Sequence, residues 1–323
     1  MSAVAFHHFL TTSRSLITLE ISSGGGNTMT QTQTIKVPHL GGSQIGYRMG
    51  QPYDASKPTL VMVNSFSTSA DLYTPQFEDE TLSGMANLLA IELFGHGDTR
   101  SPSEQFTYWD TSIANLMVMD ALGVGDAFVL GTSQGGWVAA RMALLQPDRI
   151  KGIMPLGTSM DYESQRSHEM GCWNGDEACT PVIEQLSDPV GEDWTVSGDF
   201  TDFILSAGIG GPASEEQRQH WHKVHRQNYA GDAGRKRLLM SAINLRDRDG
   251  LHGRLSSVTC PVMWMHGTSD QVYSVANAEH EIKLFTNSRD ARVQIVEGGQ
   301  HFLSASHPDV VNAAAAEFIG TWA

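Results

Sequence analysis

The hexapeptide Gly131-Thr132-Ser133-Gln134-Gly135-Gly136 constrains this chain more than any other stretch. An apolar run, Ala127-Phe128-Val129-Leu130, precedes it, and a run of helix formers from Trp137 to Leu145 follows. That order predicts a buried strand turning sharply into a helix, with Ser133 at the bend. A serine so placed has its hydroxyl lifted out of the fold, beside the amide N–H groups that begin the helix. Glycine two places before and after it leaves room for backbone that any side chain would strike. Ser133 is therefore read as a nucleophile.

The rest of the chain supplies a frame for such a bend. Strand patterns fall at Thr34–Val37, Ser43–Met49, Thr59–Val63, Asn87–Leu93, Arg149–Leu156, Pro261–His266 and Arg292–Val296. Thr59-Leu60-Val61-Met62-Val63 is apolar almost throughout, as a strand covered on both faces requires. Helical patterns alternate with these strands at Tyr108–Leu122, Val275–Leu284 and Pro308–Trp322. From 161 to about 250 the alternation stops, and a polar stretch reads as short helices such as Asp199–Ala207 and Ser214–Tyr229. The expected organisation is an α/β core over 31–160 and 251–323, interrupted by a helical insertion over 161–250. Residues 1–30, with Ser23-Gly24-Gly25-Gly26-Asn27, are expected to be an unstructured extension.

A formal net charge of −15 argues against nucleic acid and anionic membrane as partners, since both call for a basic face. No stretch reaches the length of a membrane span. Three cysteines, Cys172, Cys179 and Cys260, neither form a disulfide framework nor show metal-ligand spacing. Reduced thiols and a cytoplasmic location are expected, with a Cys172–Cys179 bridge only if the protein is secreted. A homodimer is left open.

A serine hydroxyl needs a base within hydrogen-bond reach to attack anything near neutral pH. Of thirteen histidines, His301 is favoured, because it follows Gly298-Gly299-Gln300 after the last strand pattern. His307 before Pro308, His96 between two glycines and His266 at a strand end all have structural explanations. His220, His222 and His225 would point to different sides of one helix, which speaks against a shared metal. The base needs a carboxylate to fix its tautomer. Asp270, in the turn Gly267-Thr268-Ser269-Asp270, is the choice, with Asp161 as the runner-up. Donors for a developing oxyanion are expected from the backbone of Gln134 and of Phe66, with Ser65 next, in the loop Asn64-Ser65-Phe66-Ser67-Thr68.

Taken together, Gly95-His96-Gly97, the hexapeptide around Ser133, Gly267…Asp270 and Gly299-Gln300-His301 resemble the α/β-hydrolase superfamily from about residue 31 onward. The resemblance implies an eight-stranded, mostly parallel sheet with helices on both faces, and a helical cap over 161–250. It implies hydrolysis of a small-molecule ester or lactone through an acyl-enzyme on Ser133, without a cofactor or metal. Asn64-Ser65 departs from the His-Gly of many relatives and is similar to some enol-lactone hydrolases. Carbon–carbon bond hydrolases and cofactor-free perhydrolases use the same three residues and stay as alternatives, as does a butenolide-type receptor with slow turnover. Trp173, Trp194 and Trp221 are candidates to face the substrate.

Overall fold

The computed structural model describes residues 31–210 and 213–323. The extension expected over 1–30 lies outside the described residues. The strands are β1 (Gln33–Val37), β2 (Ser43–Met49), β3 (Thr59–Val63), β4 (Asn87–Ile91), β5 (Ala127–Thr132), β6 (Ile150–Leu156), β7 (Val262–Gly267) and β8 (Ala291–Val296). They form one sheet in the order β1-β2-β4-β3-β5-β6-β7-β8. Strand β2 is antiparallel to both of its neighbours, and every other pairing is parallel.

Alternation along the central strands sends side chains to two separate cores. Val61, Val63, Leu89, Ile91, Val129 and Trp264 meet one face. There they pack on α1 (Tyr108–Ala121) and α2 (Gln134–Leu145). Leu60, Met62, Leu88, Leu130, Met263 and Met265 meet the other, under the C-terminal helix Pro308–Trp322. This is why these strands are buried and apolar on both sides. The fourth strand stops at Ile91, short of the expected Leu93. Glu92 N–H still donates to the Gly46 carbonyl of β2 at 2.9 Å, whereas Leu93 N–H donates to a side chain, Asn64 Oδ1, at 3.0 Å.

Between β6 and β7 the chain forms α3 (Gln165–Glu169), α4 (Gly175–Gln185), α5 (Gly198–Ile209), α6 (Glu215–Asn228) and α7 (Gly231–Arg246). Ser164, Asn174, Ser197 and Ser214 begin four of them, each side chain accepting a backbone N–H from the first turn. A further helix, α8 (Val275–Glu281), follows β7 and continues as a tighter turn over Ile282–Leu284, so the pattern expected as one helix divides.

The strand order itself makes a crevice. Strand β3 has β4 on one side and β5 on the other, so the loops leaving β3 and β5 diverge at their carboxyl ends. Sheets of this kind bind ligands at such a switch point. The bend after β5 is tight enough that a Cβ on Gly131 would strike the Gly135 carbonyl, and one on Gly135 the Val63 carbonyl. Gly135→Ala is therefore expected to cost about 1–3 kcal/mol in urea denaturation. An unchanged midpoint would contradict this packing.

Candidate active site

Ser133 occupies the bend with φ 54° and ψ −114°, a conformation that side chains rarely adopt. It is held there by its own N–H donating to the Leu156 carbonyl at 2.8 Å and by Thr158 Oγ1 donating to the Ser133 carbonyl at 2.8 Å. The side chain sits at the start of α2, whose first N–H groups have no partner within the helix. Gln134 is the first of these residues.

The turns after β7 and β8 bring two more side chains to the same place. His301 Nε2 lies 2.9 Å from Ser133 Oγ. Its Nδ1 lies 3.0 Å from Asp270 Oδ2 and 3.1 Å from Oδ1. A carboxylate only accepts, so Nδ1 carries the proton and Nε2 is free to accept the serine hydroxyl. Asp270 Oδ1 also accepts the N–H groups of Val272 at 2.8 Å and Tyr273 at 3.0 Å. Burial pushes the Asp270 carboxyl up, but the His301 ring and its hydrogen bond, with His266 beside them, outweigh it, and the net direction is down. Gly157 leaves the clearance: a Cβ there would come within 2.5 Å of the His301 carbonyl and 3.0 Å of Asp270 Oδ2.

Sequence reasoning missed the second imidazole on this carboxylate. His266 is fully buried, donates from Nε2 to the Tyr273 carbonyl at 2.9 Å, and lies 3.6 Å from Asp270 Oδ2. Its place four residues before Asp270, at the end of a strand, was the available signal. The runner-up acid, Asp161, is elsewhere. Its carboxylate is engaged by Ser164 and Arg166, beside His252. Asp161, His252 and Glu281 gather ligand atoms within 4.8 Å of one another, a grouping invisible in the sequence because it joins three distant segments. Arg166 already places its cation against Asp161 and His252, and Glu281 accepts from Ser159, the Met160 N–H and His252. The cluster is internally paired and belongs to the core.

The loop after β3 is tied from several sides. Thr68 N–H donates to the Ser65 carbonyl at 3.1 Å, and Asn64 Nδ2 donates to the Thr68 carbonyl at 2.8 Å. Ser67 has φ 58° and, with Leu40 and Ser133, is one of three non-glycine residues at positive φ among the described residues. Its carbonyl accepts from His225 Nε2, on α6, at 2.6 Å. Thr201 Oγ1, on α5, is 2.8 Å from the other ring nitrogen and donates to it. The two neighbouring histidines go elsewhere, His220 to Asp71 and His222 to Asp202. Phe66 stacks edge-on to His96 and Phe200.

Burial pushes the imidazoles of His225 and His96 each down to about 4, so both are neutral in the fold. In the unfolded chain they take up protons near pH 6.5, which destabilises the fold as pH falls toward 4. Each is expected to cost about 1.4 kcal/mol per pH unit across that window. Urea midpoints at pH 6.5 and 5 check this, and His225→Gln should flatten the dependence.

A cavity of about 500 Å³ opens over Ser65, Phe66, Ser133 and His301. Trp173 lines it, but Trp194 and Trp221 do not. Trp194 packs with Leu186, Val196, Tyr229 and Leu238 in a small core of the helical segment. Trp221 lines a neighbouring cavity of about 320 Å³ that shares Ile204 and Phe302 with the first. The three cysteines are free and buried. Among the described residues no helix is long and apolar enough to cross a membrane.

Comparison with known proteins agrees with the fold. A family model described as the alpha/beta hydrolase fold matches residues 58–174, from β3 through the bend at Ser133. The chain has the alpha/beta hydrolase fold. Among curated proteins the chain is 24% identical over 251 residues to a pimeloyl-[acyl-carrier protein] methyl ester esterase of Aliivibrio salmonicida, covering 77% of the chain and 87% of the relative. Among solved structures it is similar to an esterase from Exiguobacterium antarcticum, with a TM-score of 0.72, 18% identity, and 88% and 98% of the two chains covered. It is also similar to the enol-lactonase from Burkholderia xenovorans, with a TM-score of 0.70, 18% identity, and coverage of 88% and 100%.

Proposed function

We infer that the protein hydrolyses a small-molecule carboxylic ester or lactone through an acyl-enzyme on Ser133. The observation that carries this reading is the unbroken line from Ser133 Oγ through His301 to Asp270, at 2.9 Å and 3.0 Å. The names of the relatives, methyl ester esterase, esterase and enol-lactonase, support the same bond type. Ser133 Oγ attacks the carbonyl carbon as its proton passes to His301 Nε2, and Asp270 stabilises the imidazolium. The oxyanion is received by the N–H groups of Gln134 and Phe66. His301 returns the proton to the leaving alcohol, and water repeats the sequence on the acyl-enzyme to release the acid. The helical segment closes over the site as a cap.

Intact-mass analysis after exposure to a fluorophosphonate, beside a panel of p-nitrophenyl esters and lactones, tests the reading. One adduct per chain, lost in Ser133→Ala, is expected. An adduct that persists in that variant would refute it.

The tie between His225 and Ser67 implies that the cap helps to shape the loop carrying Phe66. Removing a whole oxyanion donor costs about 10²–10³ in kcat. Loosening one through His225→Ala is expected to lower kcat about tenfold, with less change in KM and partial recovery in His225→Gln. An unchanged kcat would show that the loop holds its shape alone.

A further inference from the structure

The walls of the cavity over Ser133 say what charge its ligand carries. Phe66, Trp173, Phe200, Ile204, Leu245 and Phe302 are among its lining residues, and the lining is mostly apolar. Among the described residues neither lysine nor arginine lines it, and apart from His301 its titratable side chains are Glu177, Cys179 and Tyr273. Cys179 and Tyr273 are buried, and burial holds both protons on. Glu177 is thus the one carboxylate among the described residues of the wall, with no cation beside it.

Its location matters as much as its sign. Glu177 is in the first turn of α4 and exposed to solvent. Phe203, 58% exposed on α5, lines the same cavity. With Gln271, also exposed, these residues put one part of the lining in contact with solvent, whereas Ser133 is buried. A carboxylate carried on an acyl chain would lose water along the apolar lining and find no cation to replace it, which is strongly unfavourable. If it reached back toward solvent, it would meet Glu177, and like charges brought together are a device for rejecting the wrong ligand.

Resting on the ester-hydrolase reading above, we propose that this cavity takes uncharged esters or lactones with an apolar acyl body, and that Glu177, in its solvent-exposed part, turns away acyl chains ending in a carboxylate. Glu177 is then a specificity residue, since it touches the far end of the ligand and not the reacting atoms.

A matched pair of substrates reads this directly: p-nitrophenyl hexanoate, and the mono-p-nitrophenyl ester of adipic acid, in which a carboxylate replaces the terminal methyl. The kcat/KM of the wild-type protein is expected to favour the hexanoate by about 100-fold. Glu177→Gln is expected to narrow that ratio about fivefold, and Glu177→Lys to narrow it further. High salt should narrow the ratio in the wild-type protein and leave it in Glu177→Gln. A wild-type ratio near one would overturn the proposal, and a ratio unmoved by both substitutions would remove Glu177 from it. Calorimetric binding of methyl hexanoate and monomethyl adipate to Ser133→Ala reads the same preference without turnover. A binding preference for the neutral ester with no hydrolysis in the wild-type protein would place the fault in the ester-hydrolase reading alone.

Discussion

Ser133→Ala is expected to lower kcat for p-nitrophenyl esters by about 10⁶, down to the background left by binding and oxyanion stabilisation. The substitution removes the attacking oxygen and almost nothing else. His301 keeps its contact with Asp270, the Leu156 and Thr158 hydrogen bonds act on the Ser133 backbone, and the cavity keeps its walls. The thermal midpoint should therefore stay near that of the parent, which separates lost chemistry from lost fold. Because the residues act as one unit, adding His301→Ala to Ser133→Ala should cost little more. Retention of most activity by the single variant would end the assignment of Ser133 as nucleophile.

The second large effect concerns the acid. Asp270→Asn keeps the side-chain shape but offers an amide N–H where His301 Nδ1 now donates. The imidazole then favours the tautomer with its proton on Nε2, which cannot accept from Ser133, and kcat is expected to fall about 10⁴-fold. A stability effect with a definite sign accompanies it. The net downward direction at Asp270 means that its ionised form stabilises the fold above the ordinary carboxylate pKa. That contribution fades as pH drops through the lower folded value. Asp270→Asn should remove this part of the acid sensitivity. Asp161→Asn is the control. It loosens the contacts with Arg166 and Ser164 and is expected to cost stability while sparing kcat. If kcat fell there instead, the acid would have been misassigned.

What the sequence disclosed and what it hid divide along a physical line. The run before Ser133, the two glycines around it, and the turns carrying Asp270 and His301 are local patterns, legible because backbone geometry demands particular residues within a few positions. The buried central strands were legible for the same reason: Leu60 and Val61 must satisfy opposite faces at once. The tryptophans were not. Trp173, Trp194 and Trp221 look alike in an amphipathic stretch, and only the packing of α4 to α7 decides that the first meets the cavity. His225 was judged on its helix alone, whereas its partner Ser67 lies 158 residues away. The grouping of Asp161, His252 and Glu281 escaped in the same manner.

Strands β6 and β7 are hydrogen-bonded neighbours, although five α-helices and a 3-10 helix separate them along the described residues. The detour therefore departs from and rejoins the framework at adjacent berths, and the two are held together by ties such as that of His225 to Ser67. Substitutions at Trp173, Phe200 or Leu245 are therefore expected to alter the cavity wall without unpairing the sheet. Chimeras that transplant the detour between distant relatives, keeping a match for the His225 tether, are a practical route to new selectivities.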